Sequence, residues 1–104
     1  ISGKLIFKNN IKACIKKKDE IFEALTNIFT DENVKIRSGT QKHGYDKSGK
    51  STFTTVYFLF HSGGFADVGC YDWSEEITKK EGWEDNLRIT ISSKEFEDFL
   101  EDPF

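Results

Sequence analysis

His43 and His61 are the two histidines of the chain. Two imidazoles a few ångströms apart, with a lysine nearby, supply the general acid and base of a small ribonuclease or toxin-type enzyme. The hairpin between them works against that use. With a turn centred on Lys47 and Ser48, His43 faces residue 52 or 53. His61 then lies about 26–30 Å further along at the usual rise of a strand. Both histidines are expected at strand ends on the surface, and an enzyme using His43 or His61 is the alternative reading.

Residues 64–86, GFADVGCYDWSEEITKKEGWEDN, hold both tryptophans, Cys70 and the carboxylates Asp67, Asp72, Glu75, Glu76, Glu81, Glu84 and Asp85. Calcium ligands follow a fixed loop spacing that is missing here, and Cys14 and Cys70 have no second Cys or His at zinc spacing. No metal and no cofactor is expected. Gly44, Gly49, Lys50 and Ser51 satisfy the letters of a phosphate-binding loop. Such a loop follows a buried parallel strand and opens a helix. Here Lys50 and Ser51 lead into the most β-prone stretch of the chain, so a hairpin tip is expected instead. Cys70 has no histidine that the sequence places beside it, and no nucleophile elbow is present, so covalent catalysis finds no support.

What remains is a surface. Tyr71, Trp73 and Trp83 flank the acidic segment, and such rings anchor interfaces when they are exposed. Asp72, Trp73, Glu75, Glu76, Trp83, Glu84 and Asp85 are therefore the expected contact surface for a partner protein with a basic surface. Carboxylates can stand where phosphates bind in the cleft of a nuclease or another nucleic-acid-handling protein, and opposite potentials speed association.

The elements that position these residues follow from periodicity. Residues 4–8, KLIFK, read as a short strand. On a helical wheel Ile11, Cys14, Ile15, Ile21, Phe22, Leu25, Ile28 and Phe29 share one face, with Asn10 as N-cap and Lys18 the one charge inside the stripe. From Asn33 the period becomes two, and residues 46–50 supply a turn. Residues 51–61 are rich in Thr, Val, Tyr and Phe, and the run Phe58, Leu59, Phe60 suggests a central strand with both faces covered. After a turn at residues 62–64 comes another strand. Then follows a short helix over residues 74–81, capped by Asp72 with Glu75 and ended by Gly82. Leu87, Ile89 and Ile91 alternate with Arg88 and Thr90 in a further strand. Ser92 and Glu95 open a closing helix with Phe96, Phe99 and Leu100, ended by Pro103. The order β-α-β-β-β-α-β-α predicts an α+β fold: a mostly antiparallel five-stranded sheet with one long helix packed on one face. Phe22, Leu25 and Phe29 are expected to meet Val56, Phe58 and Phe60, or the opposite register of that strand.

At 104 residues the chain reads as a single domain over positions 1–104. Residues 1–50 carry 11 Lys/Arg against 6 Asp/Glu, and residues 72–104 carry 4 against 11. The net charge of −3 argues against non-specific nucleic-acid binding. No run approaches the roughly 18 apolar residues of a membrane span, and no charged-then-apolar leader opens the chain. Two cysteines are too few for a disulfide framework, so free, packed thiols and a reducing, cytoplasmic setting are expected. In size, acidic charge and single-domain character the chain is similar to inhibitor and immunity proteins, including those that neutralise bacterial nuclease toxins. That resemblance implies a non-catalytic protein that blocks its partner. A self-associating subunit, the basic half of one copy meeting the acidic half of another, is the remaining reading.

Overall fold

The computed structural model describes residues 2–29, 34–60 and 63–92. The elements are β1 (Ser2–Ile6), α1 (Ile11–Ile28), β2 (Lys35–Lys42), β3 (Thr52–Leu59), β4 (Phe65–Asp72), α2 (Glu75–Glu81) and β5 (Asn86–Ser92). The strands form one antiparallel sheet in the order β1-β5-β4-β3-β2, so the fold is α+β. No helix among the described residues is long and apolar enough to cross a membrane. The expected closing helix with Glu95, Phe96, Phe99, Leu100 and Pro103, and the histidine at His61, lie outside the described residues.

α1 is an 18-residue helix started by Asn10, whose Oδ1 accepts from the N–H of Ala13 at 3.1 Å. This bond satisfies one of the donors that a helix leaves open at its first turn. β1 ends two residues earlier than its apolar pattern suggests, because Asn9 takes a positive φ of 49° and turns the chain into the helix. The apolar stripe of α1 lies on β4 and β5. There Cys14 and Leu25 join Val56, Phe58, Ala66, Val68, Cys70 and Leu87 in the core. Phe22 meets Phe58 at 5.6 Å between ring centroids, and Phe29 meets Phe58 at 5.8 Å and Phe60 at 4.7 Å. Full burial of side chains such as Phe58, Val68 and Leu87 contributes roughly 1.5–3 kcal/mol each. Ile28 departs from the expected stripe and is exposed. Lys18 is buried in it, with Nζ reaching Asp19 Oδ1 at 2.9 Å.

Cys14 and Cys70 are not free thiols. They form a disulfide with Cα atoms 6.0 Å apart. Cys14 faces the sheet from the second turn of α1, and Cys70 lies on the core face of β4, so helix packing brings together sulfurs 56 residues apart in sequence.

Alternation along the strands sends the residues between the core positions to the opposite face. Lys4 and Arg88, Asn86 and Tyr71, Tyr71 and Phe53, and Arg37 and Tyr57 are paired positions on that face. No helix among the described residues covers it, and Tyr57 and Leu59 are exposed. β3 is an interior strand, paired to β2 and β4, but its outer side is exposed at Leu59 and not covered as expected. Near the centre of this face Gly69 lies opposite Thr55 in register, and a Cβ on Gly69 would strike the Thr55 methyl.

Candidate functional site

Residues 43–51 link β2 to β3 as a hairpin loop, and one carboxylate organises it. Asp46 Oδ1 accepts from the N–H of Ser48 at 3.0 Å and its hydroxyl at 2.7 Å. Asp46 Oδ2 accepts from the hydroxyls of Ser51 at 2.6 Å and Ser74 at 2.8 Å. The fully buried Ser51 hydroxyl in turn accepts from the N–H of Ser74 at 2.8 Å. The hairpin loop, the start of β3 and the beginning of α2 are thus tied to one side chain. Ser48 first, then Ser51 and Ser74, hold the Asp46 carboxyl well below the usual carboxylate range. This use also settles the phosphate-loop spacing. Ser51 is committed to Asp46, and Lys50 Nζ reaches Glu76 Oε1 at 3.4 Å.

α2 is capped by Ser74, whose Oγ accepts from the N–H of Ile77, and not by Asp72. The tie to Asp46 places the Ser74 oxygen at the cap. At the other end Gly82 takes a left-handed conformation (φ 73°) suited to a residue without Cβ, and the Thr78 hydroxyl donates to the Trp83 carbonyl at 2.7 Å. The chain is thereby turned so that Trp83 folds back over Trp73.

The consequence is a run of rings along one end of the open face. Phe53 and Tyr71 stack at 5.6 Å and Tyr71 and Trp73 at 6.2 Å. His43 lies 4.6 Å from Trp73, Trp73 lies 5.0 Å from Trp83, and Trp83 lies 4.9 Å from Tyr45. The Arg88 guanidinium covers the Tyr71 ring at 4.4 Å, while its Nε donates to Asn86 Oδ1 at 3.1 Å. Beside these rings is a cavity of about 220 Å³ lined by Lys4, His43, Tyr45, Trp73, Trp83, Glu84, Asn86 and Arg88.

Polar contacts fix the walls. His43 Nδ1 accepts the Tyr45 N–H at 3.2 Å, so the neutral ring carries its proton on Nε2. The Tyr45 hydroxyl donates to Glu81 at 2.7 Å, and that bond to a carboxylate pushes the phenol pKa up. Asn86 Nδ2 donates to the Glu84 carbonyl at 3.0 Å.

The seven residues expected to form one contact surface are divided by the structure. Asp85 is 8% exposed and accepts the N–H of Trp73 at 2.9 Å, so it fastens the chain after β4 to the start of β5. Burial pushes its carboxyl up despite that bond, with Asp72 and Glu84 adding repulsion, and burial alone raises Asp72. Trp73 is also 8% exposed, whereas Trp83 is 38% exposed. Glu75 and Glu76 project from the first turn of α2, away from the cavity lining, and Glu84 is half-buried on the cavity rim. Lys4, Arg88, Asn86 and Tyr45 were missed. Tyr45 and the Asp-x-Ser turn sit in a segment readable as a hairpin tip, but nothing local marks Lys4 and Arg88. They meet only through the β1–β5 register. His43 faces Ser51, one position short of the expected register, and stands as a wall of the cavity.

Among the described residues, no three His, Cys, Asp or Glu side chains converge to hold a metal ion. The chain matches no protein-family model, no curated protein and no solved structure with which it was compared.

Proposed function

We propose that the chain is a binding protein whose recognition site is the aromatic cavity on the open sheet face. The observation that carries this reading is the Trp73–Trp83–Tyr45 ring wall, held by Gly82, Thr78 and Glu81 and flanked by Lys4 and Arg88. A half-open aromatic pocket with a few fixed polar groups is the usual form of a small-ligand or side-chain site. No acid–base pair is needed for that use.

The inhibitor or immunity-type role, blocking a partner protein through an acidic and aromatic surface, is the second reading. Exposed Glu75 and Glu76 in the first turn of α2, together with the exposure of Trp83, favour it. It loses Asp85 and most of Trp73 as contacts, since both are buried. The buried Cys14–Cys70 bond supports an oxidising setting, in place of the cytoplasmic one expected from the cysteine count.

Capture from native extract separates the two readings. Wild type, Trp83→Ala and Glu75→Lys/Glu76→Lys are immobilised, checked for folding by circular dichroism, and their bound material analysed. Loss on Trp83→Ala with retention on the charge reversal is the expected result. Retention on Trp83→Ala with loss on the charge reversal transfers the function to the acidic surface of α2.

A further inference from the structure

We propose that the cavity is a nucleotide site, with the base held among Trp73, Trp83 and Tyr45 and the phosphate held by Lys4 and Arg88. This inference rests on the aromatic-cavity reading above and names its ligand.

Size comes first. A cavity of about 220 Å³ lies below the several hundred Å³ typical of drug-sized ligands. It accommodates one planar ring, and ring faces favour stacking on another π-system.

Charge is the second argument. Lys4 and Arg88 are directly paired across β1 and β5 on the same face. Like charges at such positions repel. Among the described residues neither forms an ion pair. An anion between them relieves the repulsion. Arg88 is already oriented for this, its Nε bound to Asn86 and its face resting on Tyr71. Its two terminal nitrogens make no hydrogen bond among the described residues and offer a fork for a phosphate. The net charge of −3 does not describe this face. Lys4, Lys35, Arg37 and Arg88 share it, with Asp67 the acidic residue of its strands.

Polarity of the walls is the third. Glu84 on the rim offers an acceptor, and His43 offers Nε2–H as a donor. A base edge carries both complements. A sugar would also stack on the rings but brings no charge to Lys4 and Arg88. An acidic peptide brings charge, yet its carboxylate and its ring belong to different residues. A nucleotide holds both on one rigid unit. Asn86 acts as a positioning residue, since both ends of its amide are occupied.

The test uses the oxidised full chain and its own fluorescence, because its two tryptophans both line the cavity. The four nucleoside 5′-monophosphates, their four nucleosides, inorganic phosphate, a single-stranded tetranucleotide of each base and a Glu/Tyr peptide are titrated. At least one monophosphate is expected to quench saturably. Its nucleoside and phosphate alone should each bind at least about tenfold more weakly, the loss corresponding to one charge-assisted contact. Lys4→Gln and Arg88→Lys should each reduce the monophosphate-to-nucleoside ratio by about fivefold or more, through loss of charge and of the fork respectively. Lys4 is exposed on an edge strand, so its variant tests charge without disturbing the core. Tighter binding of the tetranucleotide, with steeper salt dependence, identifies a single strand as the source. Equal binding identifies the free nucleotide. Absence of quenching by every nucleotide overturns the inference. So does a nucleoside as tight as its monophosphate, an unchanged ratio in both variants, or preference for the peptide. If nucleotides fail while Trp83→Ala still abolishes capture from extract, the nucleotide assignment alone falls. If Trp83→Ala captures as wild type does, the cavity reading falls with it.

Discussion

Removing the Cys14–Cys70 bond perturbs the fold in a way whose size can be worked out. The bond joins the second turn of α1 to β4 across 56 residues. Closing a loop of that length removes about 14 cal/mol/K of chain entropy from the unfolded state, or about 4 kcal/mol at 25 °C. That is a large share of the roughly 5–15 kcal/mol by which a domain is stable. For a chain of this size the midpoint of thermal unfolding should fall by about 15–30 °C. Cys14 is 0% and Cys70 1% exposed, so reductant reaches the bond only when the chain opens. The clean comparison is therefore Cys14→Ala/Cys70→Ala against oxidised wild type, followed by circular dichroism on heating. Wild type reduced in denaturant and returned to buffer with reductant serves as a second sample. Two reactive thiols in the unfolded, unreduced protein, or a midpoint shift of only a degree or two, would refute the reasoning.

Three further outcomes follow from the packing around the site. Ser51→Ala leaves the Ser74 N–H without its partner and removes one of the two hydroxyls that donate to Asp46 Oδ2; chemical denaturation should show a loss of about 1–3 kcal/mol. Asp46 is held ionised by its serine partners, so its contribution is complete above the unfolded carboxylate range and is lost as pH falls below about 4. Asp46→Asn should flatten that acid limb of the stability profile, and an unchanged limb would remove Asp46 from the account. Gly69→Ala drives a methyl into Thr55 and should cost about 1–3 kcal/mol in the same denaturant experiment. Gly69→Ala/Thr55→Ser should recover part of that loss.

The sequence made legible what is local and periodic. The α1 stripe with its Asn10 cap, the contact of Phe22 and Phe29 with Phe58 and Phe60, and the hairpin at residues 43–51 all appear where alternation and turn chemistry put them. What it concealed depends on pairing across distance. The Cys14–Cys70 bond requires knowing which turn of α1 lies on which residue of β4. The Lys4–Arg88 pair requires the β1–β5 register, and a one-residue slip would send both to the other face. Asp72 and Ser74 both have the chemistry of an N-cap. The choice between them was made by Asp46, 28 residues upstream of Ser74, which fixes the serine oxygen. The acidic segment is uniform in composition but not in burial. Asp85 is spent on the Trp73 N–H, and Glu75 and Glu76 face solvent. The aromatic site was visible as Tyr71, Trp73 and Trp83, but its cations were not.

The most direct test of the cavity as a nucleotide site is a two-dimensional ¹⁵N–¹H spectrum of the labelled protein during addition of each of the four nucleoside 5′-monophosphates in turn. With at least one of them, the indole N–H signals of Trp73 and Trp83 and the amides of Lys4, Tyr45 and Arg88 should move together and saturate together, with Glu75 and Glu76 unmoved. Indoles that stay fixed while α2 responds, or a spectrum that does not change at all, would contradict the account.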